Sequence, residues 1–138
     1  MANERLEFNS KVIEEFRANG GKVGGPFEGA ALLLLTTTGA KSGEPRTSPL
    51  VYTTDGERIV IIASMAGAPT NPAWYHNLAA RPDATVELGS ETIKVRAQDA
   101  EGDERQRLYD AQAEIMPVFK EYAAKTERVI PVVLLDRV

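Results

Sequence analysis

The stretch ALLLLTTTGAKSGEPRTSPL, residues 31–50, decides both the fold and the candidate site. Its apolar start is typical of a buried strand, and Gly-Ala-Lys-Ser-Gly at 39–43 is typical of a turn into a second strand. The turn region collects hydroxyls, glycines and the cations of Lys41 and Arg46. Free backbone N–H groups and cations suit an anionic group, so this pattern predicts a phosphate site. The alternative is an ordinary surface hairpin with solvated cations.

Turn and breaker residues divide the rest of the chain into short elements. The pattern predicts helices at 4–18, 73–80 and 103–125, the last kinked or broken at Pro117. It predicts strands at 31–37, 47–54, 58–64, 83–88, 92–99 and 130–136. The order α–β–β–β–α–β–β–α–β lacks the alternation of a doubly wound fold. Successive hairpins instead favour an antiparallel sheet that curls into a barrel, an α+β fold that is mainly β.

Composition excludes several classes of function. The 138 residues fit one domain, and the net charge of -4 argues against general nucleic-acid binding. The chain has no cysteine and a single histidine, His76, which excludes disulfides, thiolate chemistry and a multi-histidine metal site. No apolar run approaches the roughly 20 residues of a membrane-spanning helix, and residues 1–20 do not resemble a signal peptide. We therefore expect a cytoplasmic protein without a metal.

The first helix carries its large apolar residues near one face. These residues are Phe8, Val12, Ile13 and Phe16. Such a stripe predicts a helix docked on its own domain. The alternative is weak contact with a membrane surface, although the helix carries few of the cations that this contact needs.

Small residues end the third predicted strand, at Ala63 and Ser64, and would let a flat ligand approach the backbone. We expect Asn71 to cap the following helix, with Pro72 at its first position. Trp74, the only tryptophan, is either a core aromatic or a pocket wall for a planar ligand. One face of the late helix carries Met116, Phe119 and Tyr122. This face either packs in the core or forms an apolar lid over an aromatic substrate.

Three motifs, in order, carry a resemblance to a known family. They are LLLTTTGAKSGEPRTSPL at 33–50, ASMAGA at 63–68 followed by NPAWYHNL at 71–78, and RVIPVV at 128–133. Together they closely resemble the deazaflavin (F420)-dependent nitroreductase and quinone reductase family of actinobacteria. The resemblance covers roughly residues 27–137.

This resemblance implies a split β-barrel of about six strands, like the FMN-binding barrels, with flanking helices. It divides the chain into an N-terminal helix and glycine-rich loop at 1–26 and a deazaflavin-binding barrel at 27–138. It implies hydride transfer from reduced coenzyme F420, an 8-hydroxy-5-deazaflavin with a phosphate and an oligoglutamate tail. The acceptor would be a small molecule: a quinone, activated alkene, coumarin-type lactone or nitroaromatic. The alternatives are an FMN-dependent reductase of the same barrel type and a non-catalytic deazaflavin-binding protein. A homodimer would be common for such barrels.

The family's motifs also imply roles for individual residues. The phosphate contacts fall on Lys41, Ser42 and Arg46, and the contacts near the tail fall on Ser48 and Pro49. The residues implied for the deazaflavin ring are Ala63, Ser64, Met65, Ala66, Gly67, Asn71, Pro72 and Trp74. Met65 stands where the family often has a lysine.

The acceptor would lie under Met116, Phe119 and Tyr122, of which only Tyr122 keeps a hydroxyl. Because the late helix of the family's best-known nitro-reducing members is rich in tyrosine, the resemblance favours quinones and enones over nitroimidazoles as acceptors. For catalysis we expect Ser64 to hydrogen-bond the developing product anion, and Tyr122 or water to supply the proton.

Overall fold

The computed structural model describes residues 2–21, 23, 31–64 and 70–138, with side chains from Ser10 onward. Its helices are α1 (Ala2–Ala18), α2 (Ala73–Ala80), α3 (Gly102–Ile115) and α4 (Val118–Lys125). Its strands are β1 (Leu32–Thr38), β2 (Pro45–Asp55), β3 (Arg58–Ile62), β4 (Asp83–Leu88), β5 (Glu91–Asp99) and β6 (Val132–Arg137). The predicted order of elements is confirmed, and the late helix is broken at Met116 and Pro117 into two helices, as the proline predicted.

The six strands close into a barrel in the order β1-β2-β3-β6-β5-β4, and every neighbouring pair is antiparallel. The predicted six-stranded antiparallel barrel is therefore confirmed. Closure pairs β1 with β4, so the barrel presents no free strand edge along these segments. Because neighbours run in opposite directions, the β1–β2 turn, the end of β3 and the start of β6 lie at one end of the barrel. We call this the upper end.

The barrel interior is filled by alternate residues of the strands, which is the pattern a pleated sheet imposes. Its buried members are Leu33, Leu35, Ile59, Ile61, Ala63, Val86, Val95, Val133 and Leu135. Helix α2 closes the upper end with Trp74 and Leu78, which pack on the same cluster. Burying each large apolar side chain contributes roughly 1.5–3 kcal/mol, so this cluster is a main source of stability.

Helices cover two parts of the outer surface. Phe16 of α1, with 0% of its surface exposed, packs on Leu32 and Leu34 of β1, which confirms the docked helix. Helices α3 and α4 cover β3 and β6 through a second outer cluster that includes Tyr109 and Phe119. The leucine run of β1 is thus buried on both faces, which explains its continuous apolar character.

The proposed division at residues 26 and 27 stays a prediction. The loop residues 22 and 24–30 lie outside the described residues, as does the side chain of Phe8. Among the residues that the structure describes, no helix combines the length and apolar character needed to cross a bilayer.

Two local predictions near the site were wrong. Strand β2 begins at Pro45, so Arg46 lies on a strand rather than in the turn. Asn71 does not cap α2: Pro72 occupies the N-cap position, and no side chain caps the helix. The amide oxygen of Asn71 instead accepts a hydrogen bond from Arg128 Nη1 at 2.7 Å. Arg128, which lies 57 residues further along the chain, thus takes the place of the local N–H that Asn71 would have capped.

Candidate active site

The upper end of the barrel gathers most of the residues predicted to bind the coenzyme. The strand directions bring together the β1–β2 turn, the residues after β3 and helix α2. The predicted residues in these segments are Lys41, Ser42, Arg46, Ala63, Ser64, Asn71, Pro72 and Trp74. Met65, Ala66 and Gly67 lie outside the described residues. Segments far apart in sequence thus form one candidate site.

The β1–β2 turn has a defined shape. The N–H of Gly39 donates to the carbonyl of Glu44 at 2.8 Å, and the N–H of Gly43 donates to the carbonyl of Gly39 at 2.9 Å. Gly43 has a φ of 71°, a conformation that favours glycine. A Cβ on Gly39 would lie 2.5 Å from Ser42 Oγ, which accepts a hydrogen bond from the N–H of Glu44. A side chain at Gly43 would therefore strain this turn, and one at Gly39 would displace the Ser42 hydroxyl from the N–H of Glu44.

The turn leaves hydrogen-bond donors free for a ligand. The N–H groups of Lys41 and Ser42 have no hydrogen-bond partner among the described residues. Both residues are exposed, and the Lys41 ammonium forms no ion pair within that part of the chain. Two adjacent N–H groups beside a cation suit an anion such as a phosphate.

The strand after the turn presents its side chains alternately to two faces. The register pairs Arg46 with Thr37 and Ser48 with Leu35, so Arg46 and Ser48 share the inner face of the sheet. Pro49 pairs with Leu34 and takes the outer face. The Arg46 guanidinium lies 3.5 Å from the Glu44 carboxylate, with both side chains more than half exposed. Such a pair is weak, so a ligand anion can compete for Arg46.

Asn77 of α2 braces the turn, a role that the sequence analysis missed. Its Nδ2 donates to Thr37 Oγ1 at 3.0 Å, and its Oδ1 accepts from the N–H of Ala40 at 3.0 Å. Asn77 is only 8% exposed. The signal was an amide on the apolar face of α2, one turn after Trp74, where a buried polar group needs partners.

Arg128 holds the residues that follow β3, a second role that the sequence analysis missed. Its Nη2 donates to the carbonyls of Ala63 and Ser64 at 3.1 and 2.9 Å. Ala63 is fully buried, and its N–H donates to the carbonyl of Pro131 at 2.9 Å. No local sequence signal connects Arg128 with these carbonyls, because 64 and 65 residues separate them.

The two aromatic residues of α2 have different surroundings. Trp74 is 7% exposed and packs in the barrel core, so the structure gives it the packing role that the sequence allowed. Tyr75 donates its hydroxyl proton to Asp99 Oδ2 at 2.6 Å. This hydrogen bond, with a smaller contribution from burial, raises the pKa of Tyr75 to about 12. Tyr75 therefore stays protonated near neutral pH.

The predicted acceptor residues lie where α3 gives way to α4. Phe119 is 6% exposed, and its ring packs edge-on against Tyr109 and Tyr122, with centroids 6.3 and 5.3 Å away. Met116 and Tyr122 are half-buried at the border of this outer cluster. The cluster includes Ile62, the last residue of β3, and so adjoins the strand end at Ala63. Met116 and Tyr122 thus keep more surface for an acceptor than Phe119 does.

The chain is similar to known proteins over most of its length. The family model for F420H(2)-dependent quinone reductases matches residues 9–137. An F420H(2)-dependent quinone reductase of Mycobacterium tuberculosis is 39% identical over 126 residues, which cover 88% of this chain and 85% of that protein. A solved F420-H2 dependent reductase is 36% identical with a TM-score of 0.71, covering 77% of this chain and 94% of its own. Another solved chain, described as a domain-swapped dimer, is 32% identical with a TM-score of 0.73. The match covers 98% of this chain and 96% of that chain. The chain belongs to the F420H(2)-dependent quinone reductase family.

Proposed function

We propose that this enzyme transfers hydride from reduced F420 to quinones, and that activated alkenes, coumarin-type lactones and nitroaromatics can also serve as acceptors. Family membership supports F420-dependent quinone reduction, and favours F420 over the alternative coenzyme FMN. The wider range of acceptors is proposed from the family resemblance of the sequence motifs. The observation that carries the assignment of the site is the β1–β2 turn, where two N–H groups lack partners among the described residues and lie near the cations of Lys41 and Arg46.

The turn fits the phosphate of F420. The N–H groups of Lys41 and Ser42 lack partners among the described residues, and the Lys41 ammonium and Arg46 guanidinium supply positive charge nearby. A phosphate bound here would displace Glu44 from Arg46, exchanging a weak exposed pair for charge-assisted hydrogen bonds. Ser48, on the same face as Arg46, would lie toward the tail, and Pro49 would contribute backbone contacts.

The residues after β3 fit a flat ring. Ala63 and Ser64 are small and carry little bulk above the backbone, and Trp74 packs in the same core cluster as Ala63. Asn71 and Pro72, which immediately precede α2, would complete the ring site. When bound, reduced F420 supplies a hydride, which carries two electrons. A quinone that accepts this hydride also takes one proton and becomes a hydroquinone.

The residues of this chain would position the acceptor and stabilise its developing charge. The Ser64 hydroxyl, or the backbone N–H at that position, would donate a hydrogen bond to the oxygen that gains negative charge. Tyr122 or a water molecule would provide the proton. The half-buried Met116 and Tyr122 would cover the acceptor, with Phe119 supporting them from the cluster. Proximity is the main catalytic contribution of this arrangement.

A structural relative also bears on assembly. Since that relative covers 98% of this chain and is described as a domain-swapped dimer, we propose that this protein forms a homodimer. Light scattering coupled to size-exclusion chromatography would test this, and a monomer mass at micromolar concentration would contradict it.

The double variant Lys41→Ala/Arg46→Ala tests the site. Titration with F420 would be followed by the fluorescence of Trp74, the single tryptophan. Losing two charge-assisted contacts should weaken binding by about 10²–10⁴-fold, since each contributes about 1.5–3 kcal/mol. The control Lys94→Ala/Arg96→Ala removes two exposed cations from β5 and should bind F420 as the wild type does.

Unchanged F420 affinity in the Lys41→Ala/Arg46→Ala variant would contradict the placement of the phosphate. A parallel titration with FMN should show much weaker binding to the wild type. Oxidation of reduced F420 by menadione, measured at steady state, separates an enzyme from a protein that only carries the coenzyme.

A further inference from the structure

Arg128 makes an unusual set of contacts at the end of β3. It lies in the segment between α4 and β6, and its guanidinium is part-buried. Nη2 donates to the carbonyls of Ala63 and Ser64, and Nη1 donates to Asn71 Oδ1. All three hydrogen-bond acceptors belong to residues that are proposed above to contact the coenzyme ring. The planar fork of a guanidinium can hold several acceptors in fixed directions, which a lysine cannot.

These contacts set the direction of a backbone donor. A trans peptide is planar, so the carbonyl of Ala63 and the N–H of Ser64 point in opposite directions. Since the carbonyl points at Arg128, the N–H of Ser64 points away from it. That N–H has no hydrogen-bond partner among the described residues. A cation on the carbonyl oxygen also polarises the peptide and strengthens its N–H as a donor.

Anchoring of the chain segment does not by itself explain these contacts. Arg105 of α3 already holds this segment, because its Nε and Nη2 donate to the carbonyl of Ile130 at 3.1 and 2.7 Å. The N–H of Ala63 also bonds the carbonyl of Pro131. Arg128 adds contacts directed at the strand end and at Asn71, where the reaction would take place.

The geometry points to Arg128 as a positioning residue for hydride transfer. It holds the strand end so that the Ser64 N–H faces the deazaflavin ring or the acceptor oxygen. This role rests on the proposed function. It assigns Arg128 no contact with the coenzyme phosphate, which binds at the β1–β2 turn.

Arg128→Gln and Arg128→Lys test this role, with Arg105→Gln as the matched control that also loses bonds to a backbone carbonyl. Two ligands are titrated: F420 and a deazaflavin fragment without phosphate or tail. The rate of hydride transfer to menadione is measured in a single turnover. Arg128→Gln should weaken both ligands by the same factor, about tenfold, and slow hydride transfer by about 10–100-fold. Arg128→Lys should recover only part of the rate. The control should lower the melting temperature without changing either binding or rate.

Three outcomes would overturn the inference. One is a folded Arg128→Gln variant with the wild-type rate and affinities. Another is weaker binding of F420 with unchanged binding of the fragment, which would mean that Arg128 contacts the phosphate. If the Gln variant does not fold, Arg128→Lys decides, and a wild-type rate in it would count against the role. Failure of the proposed function is distinguishable, because the wild type itself would then not oxidise reduced F420.

Discussion

Removing the Asn77 side chain should separate the stability of the barrel from the order of the β1–β2 turn. In Asn77→Ala, the hydroxyl of Thr37 loses its partner, and so does the N–H of Ala40. Thr37 is 2% exposed, so its unsatisfied hydroxyl costs about 1–3 kcal/mol, and loss of the separate hydrogen bond to the Ala40 N–H costs about 1 kcal/mol more. Ala40 is exposed, and its N–H can bond water instead.

The expected loss of stability is therefore about 2–4 kcal/mol. For a domain of this length, about 1 kcal/mol shifts the melting temperature by roughly 3 °C, so Asn77→Ala should melt roughly 6–12 °C below the wild type. Without its brace the turn must also be ordered by the ligand, which should weaken F420 binding by about tenfold. Differential scanning calorimetry gives the first quantity, and titration of Trp74 fluorescence gives the second.

Tyr109→Phe is the matched control for Asn77→Ala. It removes a buried hydrogen bond, from the Tyr109 hydroxyl to the carbonyl of Phe119, in the outer cluster rather than at the turn. It should lower the melting temperature but leave F420 affinity unchanged. An Asn77→Ala variant that loses the expected stability yet binds F420 as tightly as the wild type would refute the reasoning. The reasoning would also be refuted if Asn77→Ala weakened the binding of F420 and of the phosphate-free deazaflavin fragment by the same factor.

Three further predictions concern single side chains. Ser64→Ala should lower the turnover number more than the affinity for F420, and stopped-flow measurement of hydride transfer would detect the difference; equal losses would argue against a role in the transition state. Hydrogen bonds from Arg107 and, second, from Arg58 hold the pKa of Asp55 below its usual value. Stability from Asp55 is thus present above about pH 4 and lost as pH falls through the lower folded pKa, so Asp55→Asn should flatten the acid side of a melting-temperature profile. The hydrogen bond to Asp99 raises the pKa of Tyr75 to about 12, so its contribution to stability is present below about pH 10 and lost on approaching pH 12. Absorbance of tyrosinate should show this late titration in the wild type and an earlier one in Asp99→Asn; identical titrations would contradict the assignment.

Local signals were enough to predict most of the elements. Turn residues and alternating apolar residues mark the strands of the barrel, because hairpin geometry and the pleat act over a few neighbouring residues. Pro117 indicated the break between α3 and α4 for the same reason. The two cations near the β1–β2 turn were likewise visible, since Lys41 and Arg46 lie only five residues apart.

Other features could not be predicted from local patterns. Phe119 and Trp74 were each compatible with a ligand contact or a core position, and burial depends on which elements pack over them. Asn71 is a residue type that is favoured at helix N-caps, but its side chain bonds Arg128 instead. Local propensity cannot predict this charged donor, because it comes from a distant part of the chain. Tertiary context therefore changed the partner while the helix itself stayed as predicted.

The sequence by itself determined the six strands, their hairpins and the collection of hydroxyls, glycines and cations where β1 gives way to β2, because each depends on residues that are close together along the chain. Only the tertiary structure decided that Asn77 braces this turn and that Arg128 holds the end of β3. The physical reason is barrel closure: it brings residues 37 to 65 positions apart within hydrogen-bonding distance, and a buried polar group bonds whichever partner the closed fold provides.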